Sequence, residues 1–151
     1  GNAPQARFQR MARQLGIGQA VWFGGRRPDV MRFYGAGDLF VLPTVYEPFP
    51  NVNLEAMACG LPVATTSTAG GVDLVEPGRT GYLVDDPSDA VGLSACLRRF
   101  ESLSVAARLA MSEACFEVAS GRSFDATVAA TERMLSAVCG ESRQPATRRA
   151  S

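Results

Sequence analysis

Two glutamates with seven residues between them, Glu47 and Glu55, are the side chains best suited to chemistry in this sequence. An ionised carboxylate only accepts hydrogen bonds, and bonds to it are charge-assisted, so a pair of them suits vicinal hydroxyls such as those of a sugar. The residues between them say where they sit. Pro48 and Pro50 stop any strand and fix a loop. Asn51 reads as an N-cap, Leu54 to Ala58 are mostly strong helix formers, and Gly60 reads as the stop. The apolar runs Leu39–Leu42 and Leu61–Thr66 on either side read as buried strands. Glu47 is therefore placed on a loop at the C-terminal end of a strand, and Glu55 about one turn inside the next helix. In an open α/β sheet the crevice beyond the strand C-termini is where ligands bind. A helix N-terminus aimed into it offers free N–H groups and partial positive charge, which suits a phosphate.

The elements that must hold these groups run through the whole chain. Phe8, Met11 and Leu15 recur at helical spacing over residues 5 to 15. Ala20 to Phe23 reads as a short buried strand, and Gly24-Gly25 as the turn after it. Arg26 and Arg27 follow in that loop, either as a guanidinium plane stacked on a base or as two solvated cations before a helix. Asp29 to Tyr34 reads as a short helix with Pro28 in its first turn. Pro43-Thr44 ends the next strand, and the Thr44 hydroxyl is either a ligand for phosphate or sugar or a plain turn hydroxyl. Val72 to Val75 suits one helical turn, and Tyr82 to Val84 a last strand. Asp85-Asp86 reads as the loop leading into a helix capped by Ser88. Apolar stripes then mark three helices: Ala90, Leu93, Leu97 and Phe100; Val105, Leu109 and Phe116 over 104 to 119; and Phe124, Val128, Leu135 and Val138 over 124 to 138, with Ser123 as cap.

Composition narrows the class. The 151 residues allow one domain, and 46% apolar content argues against disorder over most of the length. Fifteen basic and fifteen acidic residues balance, which gives no electrostatic case for nucleic acid. No apolar run nears the roughly 20 residues needed to span a bilayer, and no signal-peptide pattern opens the sequence, so a cytoplasmic location is expected. Cys59, Cys96, Cys115 and Cys139 are scattered without a CxxC pair and read as apolar thiols in a reducing compartment. The sequence contains no histidine, which excludes a His base or a His-containing metal site within it.

The Glu-x7-Glu spacing leading into Glu55-Ala56-Met57-Ala58-Cys59-Gly60-Leu61-Pro62-Val63 resembles the nucleotide-sugar site of retaining GT-B glycosyltransferases of the glycosyl transferase group 1 family. The likeness continues in order through Val21-Trp22-Phe23-Gly24-Gly25, Phe33-Tyr34-Gly35-Ala36-Gly37-Asp38, Leu42-Pro43-Thr44, Gly70-Gly71 and Gly81-Tyr82-Leu83-Val84, over roughly residues 1 to 100. It implies a Rossmann-like parallel sheet flanked by helices, the GT-B C-terminal half without its first two strands, followed by C-terminal helices. Residues 1–139 would be a partial nucleotide-sugar-binding domain and 140–151 a disordered tail. By resemblance Glu47 serves the donor sugar as the catalytic carboxylate, and Glu55 accepts hydrogen bonds from the ribose. Backbone N–H groups around Phe49, Asn51 and Val52 face sugar and pyrophosphate, and the Arg26 loop touches the base. The family carries Gly where this chain has Pro50, which has no N–H, so one donor is lost there.

The resemblance also implies what lies elsewhere. Gly1 to Pro4 looks like the turn after the second strand, so the sequence is expected to start mid-domain. The Gly-rich loop and the Arg and Lys that neutralise the leaving diphosphate without a metal precede it, as does the acceptor-binding N-terminal domain. Transfer activity is not expected from this stretch alone, only weak binding of a UDP- or GDP-sugar. The acceptor is a glycan or lipid-linked sugar, and the wording Pro48-Phe49-Pro50-Asn51-Val52 points towards bacterial envelope polysaccharide or lipopolysaccharide. The arginines at 143, 148 and 149 leave open a peripheral contact with anionic lipid at the inner membrane face. The gap left by two strands would be filled by a longer protein, by another chain, or by a different closure of the sheet. Two rivals remain: a dinucleotide-binding dehydrogenase, which lacks its Gly-x-Gly-x-x-Gly here, and a noncatalytic nucleotide-binding module.

Overall fold

The computed structural model describes residues 3–48, 51–122 and 124–141. The chain divides into two compact units, residues 1–33 and 34–151.

The first unit is built on α1 (Ala3–Gln14). Of its apolar stripe, Phe8, Met11 and Leu15 are exposed and Ala12 is buried. The predicted strand at Ala20–Phe23 does not form: residues 18–20 are a turn, and 21–25 have no regular structure. A strand exists by pairing, and among its described residues this unit holds no strand to pair with. Its order comes instead from side chains. Trp22 stacks on Phe33 with centroids 5.4 Å apart. The Arg27 guanidinium lies 5.7 Å from the Trp22 ring and 5.4 Å from that of Phe33, and its Nε stands 3.7 Å from the Asp29 carboxylate. Helix α2 (Val30–Ala36) begins one residue later than predicted, with the Asp29 carbonyl accepting the Arg32 N–H.

The second unit carries a parallel sheet of β1 (Phe40–Leu42), β2 (Val63–Thr66) and β3 (Gly81–Val84), in the order β1-β2-β3. Phe40 pairs with Val63, and Val63 with Gly81. All four residues of the central β2 are buried, as a β-branched run covered on both faces requires. Helix α3 (Asn51–Ala58) connects β1 to β2 and packs on both strands and on α5 (Val105–Ser120). A single 3-10 turn at Val72–Leu74 stands between β2 and β3. Ala64, Tyr82, Phe100 and Met111 form a buried cluster, with Leu39, Cys96 and Leu103 against it. Gly60 ends α3 at φ +74°, where a Cβ would stand 2.6 Å from the Ser112 hydroxyl of α5; a glycine there permits both the left-handed turn and the close approach.

Several helix details differ from the sequence reading. Asn51 is the first residue of α3 rather than its cap. Helix α4 (Ala90–Glu101) is capped by Asp89, whose carboxylate accepts the N–H groups of Val91 and Gly92 at 3.1 and 2.9 Å. Ser88 lies one residue further from the helix, in a turn where its N–H is held by Asp86, and the carboxylate of Asp89 also gains from the helix dipole. In α5 the predicted stripe points outward: Val105, Leu109 and Phe116 are 76%, 60% and 58% exposed, while Met111, Ala114, Cys115 and Ala119 are buried. Both stripes have helical period. The buried row is mostly small, which suits the close packing of α5 on α3 and the approach of Ser112 to Gly60. Helix α6 runs Phe124–Glu141; Ser123, its predicted cap, and residues 142–151 lie outside the described residues.

Two predictions test this packing. Asn53, on the buried face of α3, is 1% exposed, and neither atom of its amide has a hydrogen-bond partner among the described residues. An orphaned buried polar group costs about 1–3 kcal/mol, so Asn53→Leu, close in shape, is expected to raise the unfolding free energy in urea by about that amount; a loss would show that the amide is needed. Burial pushes the Cys115 thiol from its ordinary 9.0 up to about 12, partly offset by the nearby Arg79 charge. The folded state therefore holds this proton more tightly than the unfolded one. Its contribution is complete below pH 9 and is lost as pH rises towards 12. Urea midpoints at pH 8 and 10.5 should fall less steeply for Cys115→Ala than for the parent chain.

Candidate nucleotide-sugar site

The C-terminal edge of the sheet is lashed together by backbone carbonyls that accept from β2 and its loop. The Thr65 hydroxyl donates to the Leu42 carbonyl at 2.8 Å and the Thr66 hydroxyl to the Thr44 carbonyl at 2.7 Å. The Gly70 N–H donates to the Glu47 carbonyl at 2.7 Å, and the Ser67 N–H to the Val84 carbonyl at 2.9 Å. The loop after β1, which carries Thr44 and Glu47, is thus fixed to the loop after β2. Thr44 and Glu47 are both half-buried. The backbone of each is engaged in these bonds.

Glu55 lies on the exposed side of α3, away from buried Asn53, Ala56 and Met57. Its carboxylate Oε2 accepts the Tyr34 hydroxyl at 3.3 Å. Tyr34 is itself buried and meets Phe40 of β1 edge-on, centroids 5.6 Å apart. Burial first, then the adjacent Glu55 carboxylate, raises the Tyr34 pKa above its ordinary value, so the phenol stays protonated and remains a donor. Asn51 and Glu55 also line a surface cleft of about 380 Å³ with Leu54, Ala58, Ala119 and Arg122. Asn51 and Val52 occupy the first turn of α3, where backbone N–H groups have no intrahelical partner.

The predicted residues are thus placed unevenly. Glu47 and Thr44 share the tied loop, and Glu55 and Asn51 share the cleft. Phe49 and Pro50 lie outside the described residues. Arg26 belongs to the first unit, is exposed, and has no ion pair or hydrogen bond among the described residues; its neighbour Arg27 is the one held by aromatic rings. Tyr34 and Arg122 were not singled out from the sequence. Tyr34 sits inside a motif that was, but its link to Glu55 spans 21 residues, and no local pattern encodes it.

A parallel sheet flanked by helices, with a helix tip and carboxylate-bearing elements at its C-terminal edge, is a Rossmann-like α/β arrangement. The chain belongs to the glycosyl transferases group 1 family, whose sequence model matches residues 1–101. It is 44% identical over 87 residues to a D-inositol 3-phosphate glycosyltransferase of Corynebacterium jeikeium, covering 55% of this chain and 21% of that protein. It is 34% identical over 99 residues to the Vi polysaccharide biosynthesis protein VipC/TviE of Salmonella typhi, covering 66% of this chain and 17% of that one. Among solved structures it resembles Anabaena Alr3699/HepE in complex with UDP-glucose, with a TM-score of 0.71 and 28% identity over 78% of this chain and 32% of that chain. The chain thus spans about a fifth of the length of these two curated relatives. The fold is the α/β arrangement of the GT-B C-terminal half.

The carbonyl ties are testable. Thr66→Val removes the hydroxyl that holds the Thr44 carbonyl and is expected to cost about 1–2 kcal/mol in urea unfolding. Exchange of the Gly70 amide should quicken in the same variant; an unchanged amide would show that the two ties act independently.

Proposed function

We propose that this chain is the donor-binding part of a retaining glycosyltransferase that moves a hexose from a nucleotide sugar to a glycan or lipid-linked acceptor. The observation that carries the reading is the Gly70-to-Glu47 tie, which fixes the loop bearing one carboxylate beyond the strand C-termini, at 2.7 Å. Glu55 follows on the helix that leaves that edge. In the proposed complex the Glu55 carboxylate accepts the ribose hydroxyls. Glu47 serves the donor sugar, and the free N–H groups of Asn51 and Val52 face the sugar and pyrophosphate. Thr44 stands at the phosphate or sugar, and Arg26 stacks on the base. Phe49 and Pro50 complete the loop, with one donor fewer than a glycine would give. The donor is a UDP- or GDP-sugar; UDP-glucose bound to the similar Anabaena protein supports the first.

The leaving diphosphate is neutralised by an Arg and a Lys from upstream sequence rather than by a metal. Acceptor contacts come from an N-terminal domain, so residues 1–139 by themselves bind donor without transferring it. Similarity to a protein of Vi polysaccharide biosynthesis supports an envelope-polysaccharide acceptor, and the work would be done in the cytoplasm, with the arginine-bearing tail as a peripheral contact to the inner membrane face.

Titration of UDP, GDP and ADP tests this. One nucleoside diphosphate is expected to bind, and Glu55→Ala to weaken it about 10-fold or more, as the loss of charge-assisted hydrogen bonds implies. Unchanged affinity would remove the ribose assignment and leave a noncatalytic module as the better reading.

A further inference from the structure

The hydrogen bond from Tyr34 to Glu55 has no need to exist for packing alone. Tyr34 is buried at the end of α2 with its ring edge against Phe40, and a phenylalanine would satisfy that contact equally. A buried tyrosine hydroxyl needs a partner, and here the partner is the carboxylate on the exposed side of another helix. We infer that Tyr34 is a positioning residue for nucleotide binding: its hydroxyl takes one oxygen of the Glu55 carboxylate and turns the other towards the ribose. This rests on the ribose role proposed for Glu55.

The chemistry follows from the two oxygens. A glutamate on a helix surface samples several rotamers, and each one frozen on binding lowers affinity. Tyr34 donates only to Oε2, at 3.3 Å. That leaves Oε1 with both of its lone-pair positions for vicinal hydroxyls. The separation is longer than the roughly 2.8 Å usual for O–H···O, so without ligand the restraint is slack. Tyr34 is buried with its ring against Phe40, so its hydroxyl is presented to the carboxylate from a packed side chain.

The test separates a positioning role from a structural one through the ribose itself. UDP and GDP are titrated beside their 2′,3′-dideoxy counterparts, against the parent chain, Tyr34→Phe, Glu55→Gln and the double variant. Tyr34→Phe is expected to weaken the ribonucleotide three- to tenfold, as loss of one long hydrogen bond to a charged group implies. It should leave the dideoxy nucleotide unaffected. In the Glu55→Gln background the same change should add little, because the two residues act as one unit. Equal weakening of both nucleotides, or of neither, would overturn the inference and make Tyr34 a packing residue. If Glu55→Gln alone leaves ribonucleotide affinity intact, the ribose reading itself has failed; if Glu55→Gln weakens it and Tyr34→Phe does not, only the positioning role has.

Discussion

Everything placed at the C-terminal edge of this sheet depends on the backbone of one loop being unable to drift. The loop after β1 has no regular structure up to Pro48, and irregular backbone is held only where its polar groups are satisfied. Three carbonyls, of Leu42, Thr44 and Glu47, are satisfied by Thr65, Thr66 and Gly70. All three donors belong to β2 or the turn after it. A central strand buried along its whole length is the most rigid anchor the unit offers. The two threonines serve the sheet twice, filling buried positions with β-branched side chains and passing hydroxyls sideways to the neighbouring loop.

Burying those hydroxyls is affordable in physical terms because each is paired; Asn53 shows the contrary case. It sits on the buried face of α3, two residues after Asn51, and neither atom of its amide has a partner among the described residues. The contrast makes the polar layer beneath α3 uneven. On the sheet side the Thr65 and Thr66 hydroxyls are bonded, and on the helix side the Asn53 amide has no partner among the described residues, on the same element as Glu55. Energetic defects of this sort concentrate near sites whose geometry serves something other than stability.

Much of this was legible in the sequence because it is encoded locally. The run Leu61–Thr66 can only be a buried strand, Pro48 can only interrupt one, and Gly60 marks the end of α3 at the position where φ is positive. The order of motifs around Glu47 and Glu55 was enough to place the chain in its family. What escaped was set by tertiary competition. Ala20–Phe23 has the composition of a strand but finds no strand to pair with among the described residues of its unit, and Trp22 stacks on Phe33 instead. The apolar stripe Val105, Leu109 and Phe116 lost to a row of Met111, Ala114, Cys115 and Ala119 on the side of α5 that packs on α3. Ser88 was a sound cap by type, but the helix begins one residue later, where the Asp89 carboxylate accepts the first free N–H groups.

The tyrosine–glutamate pair belongs to that second category, and it shows why site residues are harder to read than folds. Periodicity reports on neighbours three or four residues away, whereas Tyr34 and Glu55 meet across 21 residues, through α2, β1 and the tied loop. Each intervening element must hold for the contact to occur: Phe40 must seat the tyrosine ring, and the loop must deliver α3 at the right height. A carboxylate on the outside of a helix would otherwise be indistinguishable from any solvated acid. Its connection to a buried donor is what sets it apart, and that connection is a property of the fold rather than of the segment that contains Glu55.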